Sequence, residues 1–286
     1  MKTGQLMIDG LDLPPAGSSL PPPSAIKWSG GKRRCARVIA AILPPAKCYY
    51  EPFLGGASVL YCRNDSQSVA SDLYAPLVDF WRLVKDDPQG LVENYEIQWL
   101  RLQKDFPGYF YSVRDRFNTA PNGHDLCFLS RTCVNGIIRF NDSGMFNNSF
   151  HLSRKGMEPG RFKRAIFQWS ERLRSVTLRC CDYSEAVENA DKGDLIYMDP
   201  PYAGSRQRYI DGLDTKRLLD TLDRLNKRGI RWALSFDGAR GKTDYTFPMP
   251  RKLYKREINL EMGFSAVTKV LNGASEHVVE KLYLNF

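Results

Sequence analysis

Leu195–Gly204 reads LIYMDPPYAG, four apolar residues running into an aspartate, two prolines and a tyrosine. Proline lacks an N–H and fixes φ, so a strand over Leu195–Met198 must stop at Asp199. A short, uninterrupted apolar strand is the pattern of a parallel sheet covered on both faces. In such sheets ligands bind beyond the carboxyl ends of the strands, which is where Asp199, Pro200, Pro201 and Tyr202 fall.

Outward from this stretch, the apolar runs predict further strands at Cys48–Glu51, Ser68–Ser71, Val176–Cys180, Arg231–Phe236 and His277–Leu284. Helical patterns lie between them, over Cys35–Ile42, from Ser58, and over Ala75–Val84, Leu91–Arg116, Phe167–Arg174, Tyr183–Ala190 and Thr215–Lys227. Strands alternating with helices indicate an α/β fold with a mainly parallel sheet. Four predicted strands finish on or beside an acid: Glu51, Asp72, Asp182 and Asp199. Four carboxylates along one edge repel each other unless they meet a ligand rich in donors.

Bulk composition narrows the partners. The 286-residue chain suits one large domain or a core with a sizeable insertion. Its 43% hydrophobic content supports a packed core, and no apolar run approaches the roughly 20 residues of a membrane helix. Lys plus Arg number 41 against 32 acids, a formal charge of +9 that favours a polyanionic partner. The excess concentrates between Arg154 and Arg179, where Phe162, Phe167 and Trp169 are interleaved with the cations, a pattern suited to nucleic acid. Seven cysteines without a C-x-x-C pair argue against a disulfide framework or a zinc site and fit a reducing cytoplasm. Residues 1–24 carry no signal-peptide pattern and read as a Pro-rich extended tail.

YYEPFLGGASVL places Glu51 at a strand tip, then Phe53, then Gly55 and Gly56 ahead of a helix. Glycine permits positive φ and close backbone approach. Asp72 follows 17 residues after Gly55, the layout of an acid on ribose hydroxyls. KWSGGKRR, over Lys27–Arg34, lacks the Walker A spacing. Its indole and ammonium could receive an apolar surface and a carboxylate of a cofactor.

Taken in order, KWSGGK, EPFLGG, SDLY, the hairpin segment NGIIRFNDSGMFN and DPPY resemble the Dam-type (D12 class) DNA adenine N6-methyltransferases. The resemblance covers about Ile26–Phe286. It implies a Rossmann-like methyltransferase sheet, S-adenosylmethionine as donor, duplex DNA as substrate and an inserted, largely helical target-recognition domain carrying a β-hairpin. The expected division is a tail over 1–24, a catalytic domain over 25–83 and 176–286, and a recognition insert over 84–175. The 148 positions between Glu51 and Asp199 leave room for that insert. The resemblance assigns Trp28, Lys32, Asp72 and Asp199 to the donor, with Glu51, Phe53 and Gly55 in the same motif. Asp182 matches the acid beside the donor's adenine. Asn135 and Arg139 match positions that approach DNA. FNNSFH over Phe146–His151 departs from the proline-containing segment of members reading GATC, so the target sequence stays open.

The DPPY tetrad suits amine methylation. An exocyclic amine is a poor nucleophile because its lone pair is delocalised into the ring. The Asp199 carboxylate can accept one N–H and the Pro200 carbonyl the other, leaving the lone pair aimed at the methyl group. Positioned acceptors of this kind are worth about 3–4 kcal/mol each where charge develops. Pro200 and Pro201 make the turn rigid, and Tyr202 would stack on a base flipped out of the duplex. In the insert, Arg139 can pair with guanine and Asn135 or Asn141 with adenine. Arg161, Lys163 and Arg164 would contact phosphates without reading sequence. Competing readings are methylation of cytosine N4 or of an RNA base, and a catalytically idle DNA-binding protein of the same fold. A single copy, with or without a companion restriction enzyme, and a bacterial or phage origin are the expected setting.

Overall fold

The computed structural model describes residues 21–153, 155–201, 213–240, 243–244, 248–264 and 277–286. Tyr202 and Arg154, both singled out above, lie outside the described residues, as does the tail up to residue 20.

The strands are β1 (Tyr49–Glu51), β2 (Ser68–Asp72), β3 (Val176–Cys180), β4 (Leu195–Met198), β5 (Arg231–Arg240), β6 (Thr243–Asp244), β7 (Arg256–Phe264) and β8 (His277–Leu284). They form one sheet in the order β3-β2-β1-β4-β5-β8-β7, with β6 paired to β5 off this path. The first five run parallel. Strand β8 is inserted antiparallel between β5 and β7. The chain builds outward from β1 to β3, then returns to lay β4 on the other side of β1. That reversal opens a crevice at the carboxyl ends of β1 and β4.

The LIYM strand shows why the pattern is uninterrupted. Leu195 and Tyr197 pack into the core on one face, and Ile196 and Met198 into the core on the other. All four are fully buried, as period-two alternation in a doubly covered sheet requires.

The helices are α1 (Ala36–Ile42), α2 (Ser58–Cys62), α3 (Ala75–Asp86), α4 (Pro88–Lys104), α5 (Gly108–Thr119), α6 (Gly123–Thr132), α7 (Pro159–Leu173), α8 (Tyr183–Ala186) and α9 (Thr215–Lys227). Helix α9 covers one face with Leu218, Leu222 and Leu225, each worth about 1.5–3 kcal/mol when fully buried. Helices α3 to α7 lie between β2 and β3 and share one core with the other face. Trp81, Phe110, Phe128, Phe162 and Trp169 join Tyr49, Ala70, Leu195 and Tyr197 in a single apolar cluster. The expected boundary between residues 83 and 84 therefore falls inside α3, which packs on β3 as well as on α6 and α7.

Several expectations change. The single helix over Leu91–Arg116 is two helices, α4 and α5, broken at Asp105–Pro107 because proline supplies no N–H to continue the first. Helix α6 occupies a stretch for which the sequence pattern predicts no helix. Every α6 residue except His124 is buried, so it has no polar face to reveal a helical period. Helix α7 begins at Pro159, well before Phe167. The Glu158 carboxylate caps it by accepting the N–H groups of Gly160 (2.7 Å) and Arg161 (2.8 Å). Strand β7 carries no expectation in the sequence reading. The end of the tail is docked: Arg33 Nε donates to Pro22 O (2.6 Å) and Trp169 Nε1 to Pro23 O (2.9 Å). Arg131 on α6 donates to the carbonyls of Ser24 and Ala25. Among the described residues no helix is long and apolar enough to cross a membrane.

Candidate active site

Asp199 follows the last residue of β4 and sits in the crevice, its side chain 18% exposed. Lys32, from the segment before α1, is buried and donates from Nζ to Asp199 Oδ1 at 2.5 Å. The same ammonium stands 3.3 Å from Glu280 Oε2 on β8 and donates to Gly30 O at 3.3 Å. Burial pushes the Asp199 carboxyl up to about 6; Lys32 opposes that shift and the Glu280 charge adds to it. Asp199 is thus ionised near neutrality, with Oδ1 engaged and acceptor capacity on Oδ2. Pro200 is buried directly behind it.

Glu51 ends β1, the strand paired beside β4, and is 3% exposed. The Tyr49 hydroxyl donates to its Oε2 at 2.7 Å. Burial pushes the Glu51 carboxyl up to about 8; the Tyr49 bond opposes this and the Asp199 charge adds to it. A carboxyl raised in the folded state favours folding while protonated. Its contribution is complete below its ordinary value of 4.5 and is lost as pH rises to about 8. Glu51→Gln removes that ionisation. The melting temperature of the variant is therefore expected to fall less than that of the parent between about pH 5 and about pH 9, read by calorimetry without ligands.

The loop after β1 is built around Gly55, whose φ of +46° favours glycine. Its N–H is accepted by Asp72 Oδ2 (3.1 Å), and its carbonyl accepts from Trp81 Nε1 (2.9 Å). A Cβ on Gly55 would stand 2.9 Å from Cδ1 of Trp28, so the indole lies flush on this loop. Asp72 also accepts the Tyr74 N–H at Oδ1 (3.1 Å). Burial raises its carboxyl above the usual range, against the opposing N–H groups of Tyr74, Gly55 and Leu73. Asp72 shapes the glycine loop with two of its lone pairs and keeps others for a ligand. Phe53 stacks on Tyr183, ring centroids 5.0 Å apart.

Asp182 is differently committed. It caps α8, its Oδ1 accepting from Ser184 N (2.9 Å), Ser184 Oγ (2.6 Å) and Arg217 Nη2 (2.6 Å), while Oδ2 accepts from Arg217 Nη1 (3.2 Å). The expectation of an acid open to a donor's adenine meets a carboxylate already held by a guanidinium. Arg217 and Tyr183, whose buried hydroxyl has no hydrogen-bond partner, were not singled out from sequence. Neither carries a motif signal.

The expected hairpin is short, with isolated bridges Phe140–Phe146 and Cys133–Phe150 instead of extended strands. Its turn is closed by Gly144 N–H to Asn141 O and Asn141 N–H to Met145 O, both 2.9 Å. Asn118 on α5 pins the base, donating to Phe146 O (3.0 Å) and accepting from Phe146 N (2.8 Å). Asn141, expected to pair with adenine, has its Oδ1 engaged inside the turn, accepting from Ser143 N (3.1 Å) and Met145 N (2.9 Å). Arg139 is exposed and donates from Nε to Asn147 Oδ1 at 2.9 Å. Asn135, half-buried at φ +57°, sits in a turn held by Asn148, which donates to Val134 O and Ile137 O. On α7, Arg161, Lys163 and Arg164 are exposed, whereas the interleaved Phe162 and Trp169 point into the core. Those aromatics are packing residues, not a nucleic-acid surface. Burial, followed by the like charges of Arg161 and Arg131, lowers the pKa of Arg33. A polyanion on this face would relieve that repulsion.

The residues fit a donor carrying an ammonium and a sulfonium. Asp199 supplies buried negative charge at the crevice and Glu51 a second buried carboxyl, the Gly55 loop a close backbone approach, and Phe53 with Tyr183 an aromatic wall. Among the described residues no group of three His, Cys, Asp or Glu side chains is arranged to hold a metal ion.

The family model described as D12 class N6 adenine-specific DNA methyltransferase matches residues 28–261. A DNA adenine methylase of Haemophilus influenzae is 30% identical over 187 residues, 64% of each chain. One from Serratia marcescens is 30% identical over 182 residues, covering 62% of this chain and 66% of its own. The Type II methyltransferase M.MjaIII of Methanocaldococcus jannaschii is 29% identical over 242 residues, covering 73% and 82%. The chain spans slightly under two thirds of the length of the adenine methylases it matches.

Proposed function

Because the chain belongs to the D12 class N6 adenine-specific DNA methyltransferases, we propose that it methylates N6 of an adenine flipped out of duplex DNA, with S-adenosylmethionine as donor. The observation that carries this reading is Asp199, ionised beside Lys32 and backed by Pro200 at the end of β4. Glu51, Asp72, Trp28, Phe53 and the Gly55 loop would hold the donor, which supplies an electrophilic methyl group.

The chain's own part is positioning. Asp199 accepts one amino N–H and the Pro200 carbonyl the other, so the nitrogen lone pair faces away from both. Lys32 fixes the carboxylate, and the rigid Pro200–Pro201 turn spares the acceptors any reorganisation. Tyr202 stacks on the flipped base, offsetting part of an extrusion that costs a few kcal/mol. Helices α4 to α7 with the Phe140–Phe146 turn form the recognition insert. Arg139 and Asn135 face base edges, while Arg161, Lys163 and Arg164 hold phosphates. A single copy is the functional unit we propose. Free thiols on all seven cysteines suit a bacterial or phage-infected cytoplasm, with a companion restriction enzyme as the natural counterpart of a site-specific modifier.

The test is expression in a host without adenine methylation, followed by long-read mapping and nucleoside analysis of its DNA. N6-methyladenine at one recurring sequence is the expected result. N4-methylcytosine, or unmodified DNA, would overturn the reading.

A further inference from the structure

We propose that Glu280 is a positioning residue for the reaction at Asp199: it shares the Lys32 ammonium with Asp199 and so sets the orientation and acceptor strength of that carboxylate. The inference rests on the reading of Asp199 given above. It begins from an anomaly in β8, where Glu280 is buried at 7% exposure between strands β5 and β7. Among the described residues its Oε2 makes no hydrogen bond, and the Lys32 ammonium stands 3.3 Å from it. A buried carboxylate held by an ion pair alone generally stabilises a fold less than an apolar side chain of its size. Folding therefore gives no reason for a glutamate here.

The site does. Lys32 Nζ lies 2.5 Å from Asp199 Oδ1 and 3.3 Å from Glu280 Oε2, with Gly30 O as a further acceptor. Among the described residues two carboxylates thus meet one ammonium. Were Lys32 paired with Asp199 alone, the ammonium would withdraw the most electron density from the oxygens that must accept an amino N–H. Glu280 draws Lys32 partly away and pins it from the β8 side. Among the described residues the groups facing Asp199 are Lys32 ahead of α1, Cys35 at the start of α1, Glu51 from β1 and Glu280 from β8, with Tyr197 on its own strand. Burial keeps the Cys35 thiol (pushed up to about 12) and the Tyr197 phenol neutral through the working range. Variants that differ only at Glu280 isolate the effect of its charge.

Single-turnover methyl transfer is measured from about pH 5 to about pH 9 for the full chain and for Glu280→Gln, Glu280→Asp and Asp199→Asn, with thermal melting and donor calorimetry alongside. Glu280→Gln is expected to slow transfer about tenfold at neutral pH and to move the acid limb about one unit lower, because a like charge beside Asp199 is gone. Glu280→Asp keeps the charge one methylene further back and is expected to move the limb part of the way. It decides the matter if Glu280→Gln does not fold. An acid limb that stays in place in every folded Glu280 variant, whatever happens to the melting temperature, overturns the proposal. Activity retained in Asp199→Asn overturns the reading beneath it instead.

Discussion

Asp199→Asn is expected to slow single-turnover methyl transfer by about 10³-fold, roughly 4 kcal/mol, while donor binding persists. The amide keeps the shape of the carboxylate but loses its charge, and one of its two positions becomes a donor. Lys32 then leans wholly on Glu280, 3.3 Å away in the parent. The parent itself should lose activity as pH falls through about 6, since a protonated Asp199 presents a donor where an acceptor is required. Asp199→Asn has no such carboxyl, so its residual rate should show no acid limb at that pH. Rapid-quench assays with labelled donor and an adenine-containing duplex read both results. A variant within threefold of the parent would remove Asp199 from the chemistry.

Gly123→Ala is expected to cost about 3 kcal/mol of stability and about 6–12 °C in melting temperature. Gly123 opens α6 where that helix meets α3. A Cβ there would stand 2.4 Å from Phe80 N and 2.7 Å from Phe80 Cα, backbone atoms that cannot rotate aside. The Gly123 N–H is also accepted by Asp79 Oδ2 at 2.7 Å, tying the two helices at their closest point. Phe80 and Trp81 beside it anchor the aromatic core that joins insert to sheet. Gly144→Ala is the control: nothing lies within 4 Å of its Cβ, so only the strain of φ +72° remains, about 1–2 kcal/mol. Equal melting temperatures for Gly123→Ala and the parent would show that α3 and α6 can separate without loss.

The active-site edge was legible because parallel strands announce themselves by short apolar runs, and the acids that end them follow at once. Glu51, Asp72 and Asp199 each end or follow a strand of one neighbouring set, β1 pairing with β2 on one side and with β4 on the other. The recognition insert was far less legible. Helix α6 is buried on nearly all sides, so its polar residues Asp125, Ser130, Arg131 and Thr132 mark internal partners and not a solvent face. Asp125 accepts from Arg116 (2.5 and 2.8 Å), and Thr132 donates to Phe128 O (2.7 Å). Phe162 and Trp169 of α7 misled for the opposite reason: cations flank them in sequence, yet a helix sends neighbours to different faces, and only Phe167 stays exposed with the cations.

What the sequence determined alone was the local chemistry: where strands stop, which turns are rigid, and that a carboxylate precedes two prolines at one of those stops. These depend on φ restriction and side-chain period, which act over a few residues. Only the tertiary structure decided which distant groups share a charge. Lys32 and Asp199 are 167 positions apart, and Glu280 enters from the antiparallel strand β8 laid beside β5. No local rule reaches across such separations, because the energy of a buried ammonium depends on every carboxylate that folding places around it.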